Sequence, residues 1–255
     1  MEGKVSVGET LRETFAVYRA HAGVLLPLAF WLFLISAVAE ALTLHVLALF
    51  WLAPVVGLTV VTLYQGTVVR LVQDLQDGHR DSSVQDLMRS VLPVFWPLLG
   101  AAFVVAFGVI GGLVLLVAPG LYLLAMWAVV APVIVVERCR VFDGLGRSRQ
   151  LVRGNGWPVL GAVLVGFLIG AVASLGLSHL AEAIFDGEIV HLVFRVLAQT
   201  LAAPIAALIA SVLYFRLLEI HARRPATPAA DDLPPRLPTG LAEGSVPQQP
   251  GDGLG

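Results

Sequence analysis

The sequence predicts an all-α integral membrane protein: six transmembrane helices arranged as three units, each an interfacial helix followed by a hairpin of spans. Composition is the first observation behind this. Of 255 residues, 58% are hydrophobic and 13% charged, against roughly 25% charged in ordinary soluble chains, and mean hydropathy is +0.86. The second is a set of six apolar runs, at 22–44, 46–69, 93–117, 121–137, 157–178 and 192–215. Each approaches or exceeds the ~20 residues a helix needs to cross a bilayer core. The third is the placement of positive charge. Of 16 Lys and Arg residues, all but Arg195 fall in segments that six spans put on one side, and cytoplasmic loops carry the Lys/Arg excess. A four-span arrangement would strand arginine-rich segments on the wrong face.

Residues 1–21 read as a cytoplasmic amphipathic helix. Ser6 and Glu9 have the spacing of a capping box, and Leu11, Phe15 and Tyr18 recur on one face. The segment carries Lys4, Arg12 and Arg19 and offers no small-residue cleavage site, so it does not read as a secretory signal. The membrane domain is expected over 22–218, with Pro119-Gly120 as the break between the third and fourth spans. Outer segments 45, 118–120 and 179–191 hold no Lys or Arg; the last contains His179, Glu182, Asp186, Glu188 and His191 instead. Residues 222–255, rich in Pro, Gly, Ala and Asp, read as a disordered cytoplasmic tail that lacks the apolar surface to offset ordering entropy.

The threefold repeat rests on the inner segments before spans 1, 3 and 5. Asp81-Ser82-Ser83 with Gln85 and Asp86 starts a helix whose apolar face is Val84, Leu87 and Val91. The next runs from about Phe142 to Arg153, with Phe142, Leu145 and Val152 apolar. These two lead into nearly the same hexapeptide, Trp96-Pro97-Leu98-Leu99-Gly100-Ala101 and Trp157-Pro158-Val159-Leu160-Gly161-Ala162, preceded by Arg89-Ser90 and Arg147-Ser148. Tryptophan suits headgroup depth, and proline is tolerated in a first helical turn because its missing N–H had no partner there.

Close packing of small residues drives helix association in lipid. Span 5 offers Ala162, Gly166, Gly170 and Ser174 at four-residue spacing; span 6 offers Ala198, Ala202, Ala206 and Ala210. The two ladders are expected to face each other, and the other use of such grooves is homo-oligomerisation. Pro54, Pro132 and Pro204 lie well inside spans, where each frees a carbonyl.

The candidate binding residues are Arg138, Arg140, Arg147, Arg149 and Arg153, a basic run at the inner interface suited to anionic headgroups or simply to setting topology. Glu137 can pair with one of them. Arg195 is the basic residue out of pattern, expected to reach the outer surface near Glu182 or Glu188. The outer His and acidic residues match no recognised metal spacing, so no metal or cofactor is expected. Cys139 is the single cysteine, which rules out an intramolecular disulfide. No P-loop, nucleophile elbow, HExxH or dinucleotide fingerprint occurs, and nucleic-acid binding has no folded basic surface to support it.

Pro119-Gly120-Leu121-Tyr122, Trp127, Pro132, Glu137, Phe142-Asp143, Arg147-Ser148, Leu151-Val152-Arg153-Gly154 and Trp157 resemble the bacterial glycerophosphoryl diester phosphodiesterase membrane domain. Residues 7–27 are similar too, and the likeness covers most of 5–220, with its specific part at 119–162. It implies a multi-span membrane domain whose own activity is uncharacterised; the expected place is a bacterial plasma membrane, with both termini cytoplasmic from the placement of Lys and Arg. The metal-binding phosphodiesterase domain of the fused proteins has no counterpart in the sequence, so the resemblance does not imply that activity. The expectation is a non-enzymatic module engaging anionic lipid or a partner protein at the inner surface; the alternative is a small transporter or channel subunit.

Overall fold

The computed structural model describes residues 5–44, 52–78, 84–184 and 187–223. Among them every regular element is a helix. In chain order these are α1 (Val7–Leu44), α2 (Leu52–Gln76), α3 (Val84–Val91), α4 (Phe95–Leu115), α5 (Val117–Met126), α6 (Val130–Glu137), α7 (Val141–Val152), α8 (Gly156–Ile184) and α9 (Glu188–Arg223). A 3-10 turn, Leu92–Val94, joins α3 to α4. Six stretches are long and apolar enough to cross a membrane: Val7–Leu42, Leu52–Gln76, Gln85–Leu115, Val117–Glu137, Gly156–Leu177 and Val190–Arg223. The described helices fall in one compact unit that ends at Ala222. Beyond Arg223 the tail expected at 222–255 lies outside the described residues, as do His45 and the start of the second expected span.

Charge brackets the long helices. On α9, Arg195 and Arg216 are separated by twenty uncharged residues, and a rise of 1.5 Å per residue puts them ~31 Å apart. That is about the thickness of a bilayer core. Arg195 bonds Glu40 of α1 at 2.7 Å, and Arg216 bonds Glu13 at 2.8 Å and Glu9 at 3.0 Å. The same two helices are thus tied by ions at both ends of an apolar slab. Glu40, rather than Glu182 or Glu188, is the partner of Arg195; the side chains of Glu182 and Glu188 lie outside the described residues. Glu9 reaches Arg216 instead of folding back as the capping-box spacing suggests.

α1 departs from helical geometry at His21 (φ −119°, ψ 17°), whose Nδ1 lies 3.2 Å from the Val17 carbonyl. The bend separates the polar start of α1 from its apolar length. α2 packs against α1, α3, α4 and α6, and α5 packs against α4 and α8. α9 supplies much of the core: Val196 and Leu208 join the α1/α2 cluster, while Ile209, Leu213 and Leu217 join a second cluster with α5, α6, α7 and α8.

Two boundaries differ from the sequence reading, both for backbone reasons. The turn between the third and fourth spans is at Leu116, which is extended (φ −161°, ψ 138°), and not at 118–120. Pro119 and Gly120 lie inside α5. Proline fits there because the first turn of a helix leaves its N–H groups unbonded. Glycine is required because α4 and α5 touch: a Cβ on Gly112 would lie 2.9 Å from the Gly120 Cα, and one on Gly120 would lie 2.6 Å from the Leu113 nitrogen. The fourth span is also not one helix. It opens at Trp127-Ala128-Val129, between α5 and α6, which places Pro132 in the first turn of α6.

Gly120→Ala should therefore lower the unfolding free energy by roughly 1–3 kcal/mol through overpacking. Gly111 in α4 has open space around it, so Gly111→Ala should be neutral or stabilise by up to about 1 kcal/mol. Denaturant unfolding in detergent micelles measures both, and equal effects would contradict the close approach of α4 and α5.

Candidate functional site

The basic segment is built around the end of the broken span. α6 ends at Glu137, and Arg138 takes the left-handed conformation that turns the chain (φ 50°, ψ 42°). Arg140 then precedes α7. Helix α7 returns its buried face, Leu145, Ser148, Leu151 and Val152, to the bundle. The Ser148 hydroxyl donates to the Met126 carbonyl at 2.8 Å. The helix break leaves that carbonyl without its usual donor, because the Val130 N–H bonds Trp127 instead.

Glu137 receives the Arg147 Nε at 3.2 Å on both carboxylate oxygens, and the Tyr214 hydroxyl of α9 at 3.2 Å. Arg147 is thereby occupied. Arg138, Arg140, Arg149 and Arg153 are exposed, and none has a carboxylate partner among the described residues. Phe142 and Trp157 are 79% and 85% exposed beside them. At the turn into α8, Asn155 is buried, and its Oδ1 accepts the Val5 N–H at 3.2 Å. Cys139 lies among these groups, and burial, followed by the charge of Glu137, pushes its thiol pKa up.

The two hexapeptides occupy equivalent environments. Trp96 and Trp157 are exposed, Leu98 and Val159 are buried, and Ala101 and Ala162 are buried. The two serines before them differ, since Ser90 bonds back to Leu87 in its own helix at 2.7 Å.

Of the small-residue ladders, Ala162, Gly166, Ala198 and Ala210 are buried, Gly170, Ala202 and Ser174 are partly buried, and Ala206 is exposed. A Cβ on Gly170 would lie 3.5 Å from that of Ala202, which is one ladder-to-ladder approach. Gly166 instead faces Ile209.

Arg70, expected just beyond the second span on the inner side, continues the helix of α2 and is only 8% exposed. Its NH1 donates to Gln73 at 2.7 Å, while its Nε and NH2 are buried without a partner among the described residues. Arg138 is a like-charged neighbour and Asp74 an opposite one. Hydrophobic run length gave the signal: the apolar stretch of α2 ends only at Val69, so one more helical turn carries Arg70 inward.

Between α2, α4, α5, α6, α8 and α9 lies a cavity of about 350 Å³. Its wall is apolar apart from Thr62, Gln65 and the Trp127 indole. Among the described residues no three His, Cys, Asp or Glu side chains converge as a metal site. Of the outer cluster, Asp186 and the Glu182 and Glu188 side chains lie outside the described residues. The fold is that of a multi-pass helical membrane protein. No family model, curated protein or solved structure matches the chain.

Ser148→Ala removes the donor to Met126 and leaves a buried acceptor unpaired, a loss of about 1–3 kcal/mol. Ser90→Ala leaves its own helix intact and should stay within about 0.5 kcal/mol of the parent. Equal unfolding midpoints for the two variants would show that Ser148 does not hold the break.

Proposed function

We propose that this chain is a non-enzymatic module of a bacterial plasma membrane that engages anionic lipid at its cytoplasmic face, with both termini on that side. One observation carries the reading. Four of the five arginines at 138–153 are exposed and have no carboxylate partner among the described residues, beside exposed Phe142 and Trp157. Basic side chains that served only to fold the protein would be expected to find acids, as Arg147, Arg195 and Arg216 do. Aromatic side chains at headgroup depth and basic side chains next to them suit an anionic surface, which contributes about 1 kcal/mol per residue. Arg70, a neighbour of Arg138, adds positive charge at the same end.

The architecture belongs to the same proposal. α3 and α7 each lie before a long apolar helix, and the bend at His21 divides α1 comparably. Three interfacial-helix units would set three amphipathic segments against the inner leaflet. This also agrees with the resemblance of 119–162 to the phosphodiesterase-associated membrane domain. A partner protein or a second copy of the chain could use the same basic surface. The alternative, a transporter or channel subunit, gains little from a cavity with no ionisable side chain in its wall.

Native mass spectrometry of the full chain in mild detergent tests the lipid reading, with phosphatidylglycerol and phosphatidylcholine as probes. The parent should retain phosphatidylglycerol preferentially. Arg138/Arg140/Arg149/Arg153→Ala should weaken that retention by at least on the order of a hundredfold, from about 1 kcal/mol per residue. Equal retention in both proteins would reduce these arginines to topology signals and bring the transport reading forward.

A further inference from the structure

We infer that the cavity beside the broken span is a binding site for a neutral lipid that carries a hydroxyl or carbonyl group on an apolar chain. The inference is independent of the anionic-lipid reading and uses none of its arginines.

Polar groups without partners mark the site. Thr62 is 3% exposed, and its hydroxyl has no hydrogen-bond partner among the described residues. Thr59, Thr67 and Thr200 return theirs to the carbonyl four residues back: Thr59 to Val55 at 2.8 Å, Thr67 to Leu63 at 2.8 Å and Thr200 to Val196 at 2.7 Å. Thr62, like Thr14 of α1, does not, and of these two only Thr62 lines the cavity. Gln65, also in the wall and partly exposed, has no side-chain partner among the described residues. Thr62 and Gln65 are one turn apart on α2, so they share a face. An unpartnered glutamine is costly at this depth: it lies thirteen residues into α2, ~20 Å from that helix's start.

The break supplies an acceptor. Pro132 has no N–H to give to the Ala128 carbonyl four residues earlier, and Ala128 lines the same cavity. A hydroxyl could therefore donate to Ala128 or the Gln65 oxygen, and accept from Thr62 or the Gln65 amide. A carbonyl would use the donors alone.

The rest of the wall selects the apolar part. Residues such as Leu58, Val105, Val163 and Ile209 offer only hydrocarbon, and no charged side chain is present to hold an ion. Val61 and Phe167 line the space and are also exposed, so it opens sideways onto the apolar surface. Entry is from the lipid phase. The volume falls in the usual range for small-molecule sites. At about 30 Å³ per water-sized group it takes on the order of ten heavy atoms, enough for a chain segment with its polar group but not a diacyl lipid.

The test uses the full chain in phospholipid nanodiscs and a long-chain primary alcohol bearing a diazirine. Photolysis followed by peptide mass spectrometry should place adducts on the cavity-lining segments of α2, α5, α6 and α8. Unlabelled alcohol should compete and an alkane of equal length should not. Thr62→Val/Gln65→Leu, an apolar pair that suits a membrane helix, should lower cavity labelling roughly tenfold, and Ala206→Phe should block it by filling space. Labelling spread evenly over lipid-exposed helices, competition by the alkane, or unchanged labelling in the double variant would each overturn the inference.

Discussion

A bilayer core provides no water for an open peptide group, and the fourth span opens its helix at Trp127-Ala128-Val129. Much of the basic end follows from how that opening is closed. The Met126 carbonyl is taken by Ser148, which docks α7 against the span that precedes it. With α7 so placed, Arg147 meets Glu137, and Glu137 also accepts from Tyr214 of α9. The turn after α7 then positions Asn155 to hold Val5 at the start of α1. One interruption in a membrane helix thus connects the basic segment, the last helix and the N-terminal segment.

That arrangement divides the arginines into two groups. Arg147 and Arg216 are held by acids from other elements and act as ties between helices. Arg138, Arg140, Arg149 and Arg153 remain outside these ties and face outward with Phe142 and Trp157. At the opposite end Arg195 is tied to Glu40. The same break that builds the basic end also forms part of the cavity wall, through Trp127 and Ala128, so the basic segment and the cavity meet around one irregular stretch of backbone.

The six spans were legible in sequence because run length and charge placement are local properties. The shared environment of Trp96 and Trp157, and of Ala101 and Ala162, was equally readable from the paired hexapeptides. The break at 127–129 was not. No glycine or proline occupies it, and Pro132, the residue that hints at it, is also common in unbroken membrane helices. Nor could spacing identify Glu40 as the partner of Arg195, 155 positions away. The unpaired state of Thr62 depends on side-chain rotation and on neighbours from distant helices, neither of which a hydropathy pattern records.

The central claim is that the chain crosses a membrane with its unpaired arginines on the inner side. Cys139 lies among them as the only cysteine of the sequence, so the native protein carries its own probe. A membrane-impermeant maleimide would be applied to sealed inside-out and right-side-out vesicles, at mildly alkaline pH because the thiol pKa is raised. The account predicts labelling of inside-out vesicles only, and for Cys139→Ser/His179→Cys labelling of right-side-out vesicles only. Labelling of native Cys139 from the outer side would contradict it.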